Sequence, residues 1–262
     1  NPVGIPKDEE LHSVVRALVT AGKKPKFIYA IPDFQNPSGV TMDMEQRNNV
    51  LEVAREFDLL VVEDSPYREI RFSGEPMPLI YSLDKEERTV LLGTFSKTFV
   101  PGFRLGWIMA PVNIIERLEI VKQSMDLCAP VFNQFIAARF MKKGYYDKNI
   151  ERVKINYRNK RDSMIAAFEK YMPEGVTWTN PEGGLFLFVT LPEGYDSTEL
   201  FKIAVKENVA FVIGEAFHCD GSGKNTLRIN FSYMEESRAE EGIRRLAGAI
   251  GRMMEEKKIK GQ

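Results

Sequence analysis

Residues 27–63 read FIYAIPDFQNPSGVTMDMEQRNNVLEVAREFDLLVVE. Phe27-Ile28-Tyr29-Ala30-Ile31 is an apolar run of strand length, stopped by Pro32. Asp43 and Gln46 have the spacing of a capping box, and Val50, Val53, Ala54 and Phe57 recur behind them at helical intervals. Leu59–Glu63 is a second apolar run. A buried strand, a capped amphipathic helix and another buried strand make a βαβ unit, whose strands run parallel and are covered on both faces.

The pattern extends in both directions. Asp8–Thr20 carries Leu11, Val14, Val15 and Leu18 at helical spacing, and Thr89–Phe95 and Leu105–Ala110 read as a third and a fourth strand. After Pro111 the character shifts to long helices. Ile114, Leu118, Val121 and Met125 share one face of the first; Pro130 interrupts, and a second helix runs to Lys143. A third, from Asp147 to about Met172, is densely charged, with apolar positions at Ile150, Val153, Tyr157, Ile165 and Phe168. Its charges read as a solvated face rather than a nucleic-acid surface. From Val176 the pattern is α+β: strands at Leu185–Val189, Val209–Val212 and Thr226–Ser232, a helix at Ser197–Asn208 capped by Ser197, and a terminal helix at Ser237–Met254. The expected architecture is α/β: a large domain on a mainly parallel sheet, residues 1–146, and a smaller α+β C-terminal domain, residues 147–262.

Composition narrows the function. The 262 residues are 44% hydrophobic and 28% charged, enough for a sizeable core. The 36 basic residues nearly balance the 37 acidic ones, for a net charge of -1, which excludes a strongly electrostatic nucleic-acid binder. No apolar run approaches the roughly 18 residues of a membrane span. The start lacks the pattern of a secretory signal. Cys128 and Cys219 form neither a disulfide framework nor a metal-ligand spacing, which fits a reducing, cytoplasmic setting. His12 and His218 are the only histidines and lie in no cluster, so neither a metal site nor histidine acid–base chemistry is expected.

In a parallel sheet, ligands bind beyond the carboxyl ends of the strands. Asn36-Pro37-Ser38-Gly39 follows the first strand, Asp64-Ser65-Pro66-Tyr67 the second, and Ser96-Lys97-Thr98 through Pro101-Gly102-Phe103-Arg104-Leu105-Gly106 the third. Taken singly, each is ordinary: Asn, Pro and Gly form turns, and most lysines are solvated. Taken together they make a set that one cofactor uses. Pyridoxal 5'-phosphate needs a lysine for its aldehyde, an acid for its ring nitrogen, and Ser, Arg and backbone N–H donors for its phosphate.

These segments, in this order and approximate spacing, resemble the class I/II aminotransferases of fold type I, most of all the 2-aminoadipate and kynurenine aminotransferases. The resemblance runs from Phe27 to the terminal helix. It implies that Lys97 forms the Schiff base and shuttles a proton at the substrate Cα, while Asp64 pairs with the pyridinium nitrogen and favours its protonated form. It also implies that Asn36 and Tyr67 hydrogen-bond the ring oxygen, and that Ser96 and Arg104 hold the phosphate. Within Thr226–Ser232, Leu227, Ile229 and Phe231 are expected to face the core, with Arg228 and Asn230 on the other side. The resemblance makes Arg228 the grip on the substrate α-carboxylate, a bidentate task suited to guanidinium, with Asn36 beside it. Gly183-Gly184 matches the family as a conformational requirement.

The implied reaction is transamination between an amino acid and a 2-oxo acid, often 2-oxoglutarate, by a homodimer. Two alternatives stay open: a lyase or decarboxylase on the same scaffold, and the cofactor-sensing domain of a transcription regulator. The aromatic and aliphatic surroundings of Phe186 and Phe188 suit long, branched or aromatic side chains. Family members begin well upstream of Asn1, so the resemblance implies an excerpt of a longer chain, lacking part of the cofactor cup.

Overall fold

A computed structural model describes residues 8–260. By its internal contacts the chain divides into a first unit of residues 8–33 and 41–154 and a second unit of residues 34–40 and 155–260.

The first unit contains α1 (Asp8–Thr20), β1 (Phe27–Ala30), α2 (Met44–Glu56), β2 (Leu60–Asp64), the single turn α3 (Ile80–Leu83), β3 (Thr89–Thr94) and β4 (Gly106–Met109). Helices α4 (Val112–Met125) and α5 (Val131–Lys142) follow, and α6 (Tyr145–Tyr171) begins here. The sheet order is β1-β2-β3-β4; β1 and β2 are parallel with Phe27 opposite Leu60, and β2 and β3 are parallel with Val61 opposite Thr89. The mainly parallel sheet is therefore as expected. Its fourth strand runs the other way, Leu91 opposite Met109. The link from Thr94 to Gly106 holds no crossover helix, only a 3-10 turn at Pro101–Phe103, so the strand returns beside the one it left.

Asp43 caps α2 as expected: it accepts from Gln46 N at 2.9 Å, while Gln46 Oε1 accepts from Asp43 N at 3.1 Å. The inward face of α2, through Val50, Val53 and Ala54, packs with Val15, Leu59, Val61 and Ile80. Each valine, leucine or isoleucine among them contributes about 1.5–3 kcal/mol when fully buried. At the other end Asp58 is left-handed (φ 52) and Leu59 N bonds back to Ala54 O, a Schellman ending. That commits the Leu59 N–H to the helix, so β2 starts at Leu60. Helix α4 buries none of its residues; Val121 and Met125, two of its expected apolar positions, are exposed. Among the described residues no helix is long and apolar enough to cross a membrane.

The second unit takes the remainder of α6, then β5 (Thr177–Trp178), β6 (Phe186–Thr190), α7 (Ser197–Lys206), β7 (Val212–Ile213), β8 (Thr226–Asn230) and α8 (Glu236–Lys260). Its sheet is antiparallel, in the order β5-β6-β8-β7. Leu187, Leu200, Leu227, Phe231, Leu246 and Ile250 are fully buried and fill its core. Two local expectations are corrected. The cap of α7 is Asp196, which accepts from Thr198 N at 2.7 Å; the Ser197 hydroxyl is buried and makes no hydrogen bond. The strand expected at Val209–Val212 shrinks to Val212–Ile213, because left-handed Asn208 (φ 58) closes α7 and Val209 N bonds to Ala204 O.

Candidate functional site

In the first unit, the chemistry collects where β2 and β3 end. Asp64 is the last residue of β2 and is partly buried. Its Oδ2 accepts a 2.6 Å hydrogen bond from the Tyr29 hydroxyl on the neighbouring strand. Burial, the bond to Asp64 and its negative charge, and the nearby Tyr67 hold the Tyr29 phenol well above its usual pKa. Tyr67, in the turn after β2, is buried. The sequence marks Tyr29 only as a strand residue, because an aromatic residue in an apolar strand looks like core.

Past β3 the chain turns tightly. Phe95 N donates to Leu105 O, Ser96 N to Thr94 Oγ1 at 3.1 Å, and Phe99 N to Phe95 O. Lys97 stands exposed on this turn, beside buried Thr98. Two side chains of α6 pin Thr98: Tyr146 Oη bonds its hydroxyl at 2.9 Å, and Asn149 Nδ2 donates to its carbonyl at 2.9 Å. Arg104, left-handed at φ 50, ends the 3-10 turn and brings Nη1 to 3.4 Å from Ser96 Oγ. Asp64, Tyr67, Ser96, Lys97 and Arg104 thus belong to one unit, on the turns that follow two adjacent parallel strands.

Just past the end of β1 lies a charged cluster that composition did not reveal. Asp33 is buried and meets three guanidinium groups, Arg47 at 2.9 Å, Arg68 at 3.3 Å and Arg71 at 3.5 Å. Arg47, also buried, donates in addition to the carbonyls of Met42, Pro78 and Pro32. Met42 N bonds Pro32 O at 2.8 Å, so the chain leaves and re-enters the first unit at one clamped point. Arg68 directly follows Tyr67, so the same cluster steadies that turn. Nearby, Glu63 is buried and accepts from Ile80 N and Tyr81 N; burial pushes its carboxyl up.

The second unit holds the other two expected residues. Residue 228 on β8 lies opposite Phe188 on β6, so both project to the same face, with Phe186 a diagonal neighbour. The Arg228 guanidinium stacks over Phe186 at 4.1 Å and Phe217 at 5.1 Å, and its Nη1 donates to Asn36 Oδ1 at 2.6 Å. Leu227 and Phe231 are buried and Asn230 is exposed; Ile229 is only partly buried. Asn36 sits in a self-closed turn: Gln35 N bonds Val40 O, Gly39 N bonds Gln35 O, and the Ser38 hydroxyl bonds Gln35 Oε1. Backbone proximity sets the two glycines beside it. A Cβ on Gly39 (φ +73) would lie 2.6 Å from Phe186 O, and one on Gly184 (φ +72) 2.6 Å from Phe34 Cβ. Gly184 is thus a conformational requirement, as expected.

The donor set suits pyridoxal phosphate. Asp64 offers a carboxylate for a ring nitrogen, Lys97 a primary amine for an aldehyde, and Ser96 with Arg104 a hydroxyl and a guanidinium for a phosphate. Among the described residues no group of three or more His, Cys, Asp or Glu could hold a metal ion.

Comparison with known proteins follows the same line. The sequence matches the model of the family described as aminotransferase class I and II over residues 9–246. It is 48% identical over 254 residues to the aromatic-amino-acid aminotransferase 1 of Thermococcus litoralis, covering 95% of this chain and 61% of that protein. The crystal structure of Pyrococcus horikoshii kynurenine aminotransferase, in complex with PMP, aligns with a TM-score of 0.92 at 48% identity, over 94% of this chain and 61% of that one. An uncharacterized HTH-type transcriptional regulator of Bacillus subtilis is 30% identical over 254 residues, 96% of this chain and 52% of the regulator. The chain therefore spans about three fifths of the length of these aminotransferases and about half that of the regulator.

Proposed function

Because the chain belongs to the class I and II aminotransferases, we propose that it acts in transamination, moving an amino group from an amino acid to a 2-oxo acid such as 2-oxoglutarate with pyridoxal 5'-phosphate as cofactor. The observation that carries the reading is the gathering of Asp64, Ser96, Lys97 and Arg104 on the turns after β2 and β3. The relative crystallised with PMP supports the same cofactor type. When bound, that cofactor supplies a carbonyl to take the amino group and a ring to accept the electron pair released at the substrate Cα.

The side chains have distinct tasks. Lys97 would hold the cofactor through its amine, and that amine, once free, would carry the proton from the substrate Cα to the cofactor carbon. Asp64 holds a proton on the ring nitrogen. Ser96 and Arg104 bind the phosphate by charge-assisted hydrogen bonds, while Asn36 and Tyr67 bond the ring oxygen. Arg228, steadied by Phe186, Phe217 and Asn36, grips the substrate α-carboxylate.

A cytoplasmic homodimer belongs to the same reading. Support comes from exposed Cys128 and Cys219, which stay free, and from exposed apolar side chains on α4 and α5, among them Ile120, Met125, Phe132 and Phe135.

The test is amino transfer with the 15N label followed from a panel of aromatic and long-chain donors into 2-oxoglutarate. Label in glutamate is the expected result; label in ammonia would mean a lyase instead. Lys97→Ala is expected to abolish both the borohydride-reducible cofactor attachment and turnover, and transfer at the wild-type rate by that variant would overturn the role of Lys97. The HTH-type relative favours a second reading, a cofactor-sensing domain of a regulator. Cofactor attachment at Lys97 without amino transfer from any donor would support it.

A further inference from the structure

We propose that Tyr29 is a positioning residue for Asp64, holding one carboxylate oxygen so that the other is presented to the ring nitrogen of the cofactor; the proposal rests on the pyridoxal phosphate reading above. The contact follows from register. Tyr29 lies opposite Val62 in the parallel β1–β2 pair, and Asp64 is two residues further on, so all three side chains share one face of the sheet. Strands stand about 4.8 Å apart and two residues advance about 6.6 Å, so the gap from residue 29 to residue 64 is about 8 Å. A serine or threonine cannot cross that distance, whereas a phenol reaches most of it without flexible torsions.

The observed 2.6 Å bond engages Oδ2 alone, leaving Oδ1 for an incoming donor. A carboxylate at a strand end otherwise rotates about its own bond. Fixing one oxygen therefore orients the other before any ligand arrives, and preorganised groups lose less freedom on binding. The direction of donation is also settled. With its ionisation held far up by burial and by Asp64, the Tyr29 hydroxyl keeps its proton through the neutral range and acts as donor. Tyr29 is half exposed, so replacing its hydroxyl removes a bond without opening a hole in the core.

The test is a double-mutant cycle in the full chain, with pyridoxal phosphate titrated into wild type, Tyr29→Phe, Asp64→Asn and the double variant. Tyr29→Phe is expected to raise the cofactor Kd about tenfold, equivalent to about 1.4 kcal/mol, the scale of one hydrogen bond to a charged group. In the Asp64→Asn background the same change is expected to alter Kd by less than about twofold. The pH at which the bound cofactor's absorbance titrates is expected to shift by about half a unit or more on Tyr29→Phe, and to stay put when Asp64 is already Asn. Equal losses in both backgrounds would overturn the proposal, because Tyr29 would then act without Asp64. So would an unchanged Kd and titration in Tyr29→Phe alongside a wild type that binds cofactor. A wild type that takes up no cofactor would overturn the cofactor reading itself, and this proposal with it.

Discussion

Replacing Asp33 with Asn tests how firmly the turn after β1 is held by charge. The Asp33 side chain is 2% exposed and its partner Arg47 is 0% exposed, with further guanidinium nitrogens at 3.3 and 3.5 Å from Arg68 and Arg71. Asparagine keeps the shape and removes the charge. Arg47 retains the Met42, Pro78 and Pro32 carbonyls and the Coulombic pull of buried Glu63 but loses its direct ion pair in a dry setting. Breaking a buried pair in this way costs about 3–5 kcal/mol. With a guanidinium slope of about 4 kcal/mol/M, the unfolding midpoint should fall by about 1 M. Trp107 lies in the first unit and Trp178 in the second, so fluorescence in a Trp178→Phe background reports on the first unit alone. Asp58→Asn is the control. Asp58 also bonds an arginine at 2.9 Å, Arg88, but is 86% exposed, and its left-handed backbone suits Asn. That variant should leave the midpoint in place. A shift below about 0.3 M for Asp33→Asn, or equal shifts for the two variants, would refute the reasoning.

Two further outcomes are expected. Gly184→Ala places a Cβ 2.6 Å from that of Phe34 at φ +72, and should cost about 2 kcal/mol or more, read as a lowered Tm of the second unit. Burial holds the His218 imidazole below its ordinary 6.5, against the pull of Asp220, so the fold favours the neutral ring. The stability it confers is present above about pH 6.5 and is lost as pH falls through the folded value. His218→Gln should therefore flatten the loss of stability between about pH 7 and pH 5 in urea unfolding, and an unchanged pH slope would contradict the assignment.

Much of the fold was legible because periodicity and capping speak locally. Asp43 and Gln46, three residues apart, announce the start of α2, and the structure closes both bonds. Helix exits were harder. Asp58 and Asn208 each take a left-handed turn that keeps the next N–H inside the helix, delaying β2 by one residue and β7 by three. No apolar pattern records that. The antiparallel β4 reads like its neighbours because strand direction leaves no mark on composition.

The candidate site divides in the same way. Residues bound to short motifs, such as Ser96-Lys97 and Asp64-Ser65-Pro66-Tyr67, stand out in the sequence. Residues that act through a partner do not. Tyr29, Asp33 with Arg47, and the Tyr146–Asn149 pair around Thr98 meet across separations of 14 to 51 residues. Each has an ordinary local explanation, as strand aromatic, surface charge or helix polar face.

Residues 34–40 belong by their contacts to the second unit although both flanks belong to the first. The bond from Arg228 to Asn36 closes a span of 192 residues. During synthesis, Asn36 leaves the ribosome long before its partner strand exists, and the loop must idle until β6 and β8 have been made. Contacts of such long range slow folding. Severing the chain once, between residues 154 and 155, would strand the Asn36 loop on the wrong fragment. The carboxyl-terminal piece would then display Phe186 and Arg228 without the turn that covers them. Protein engineers wishing to separate the halves would need to graft the loop as well as cut the linker.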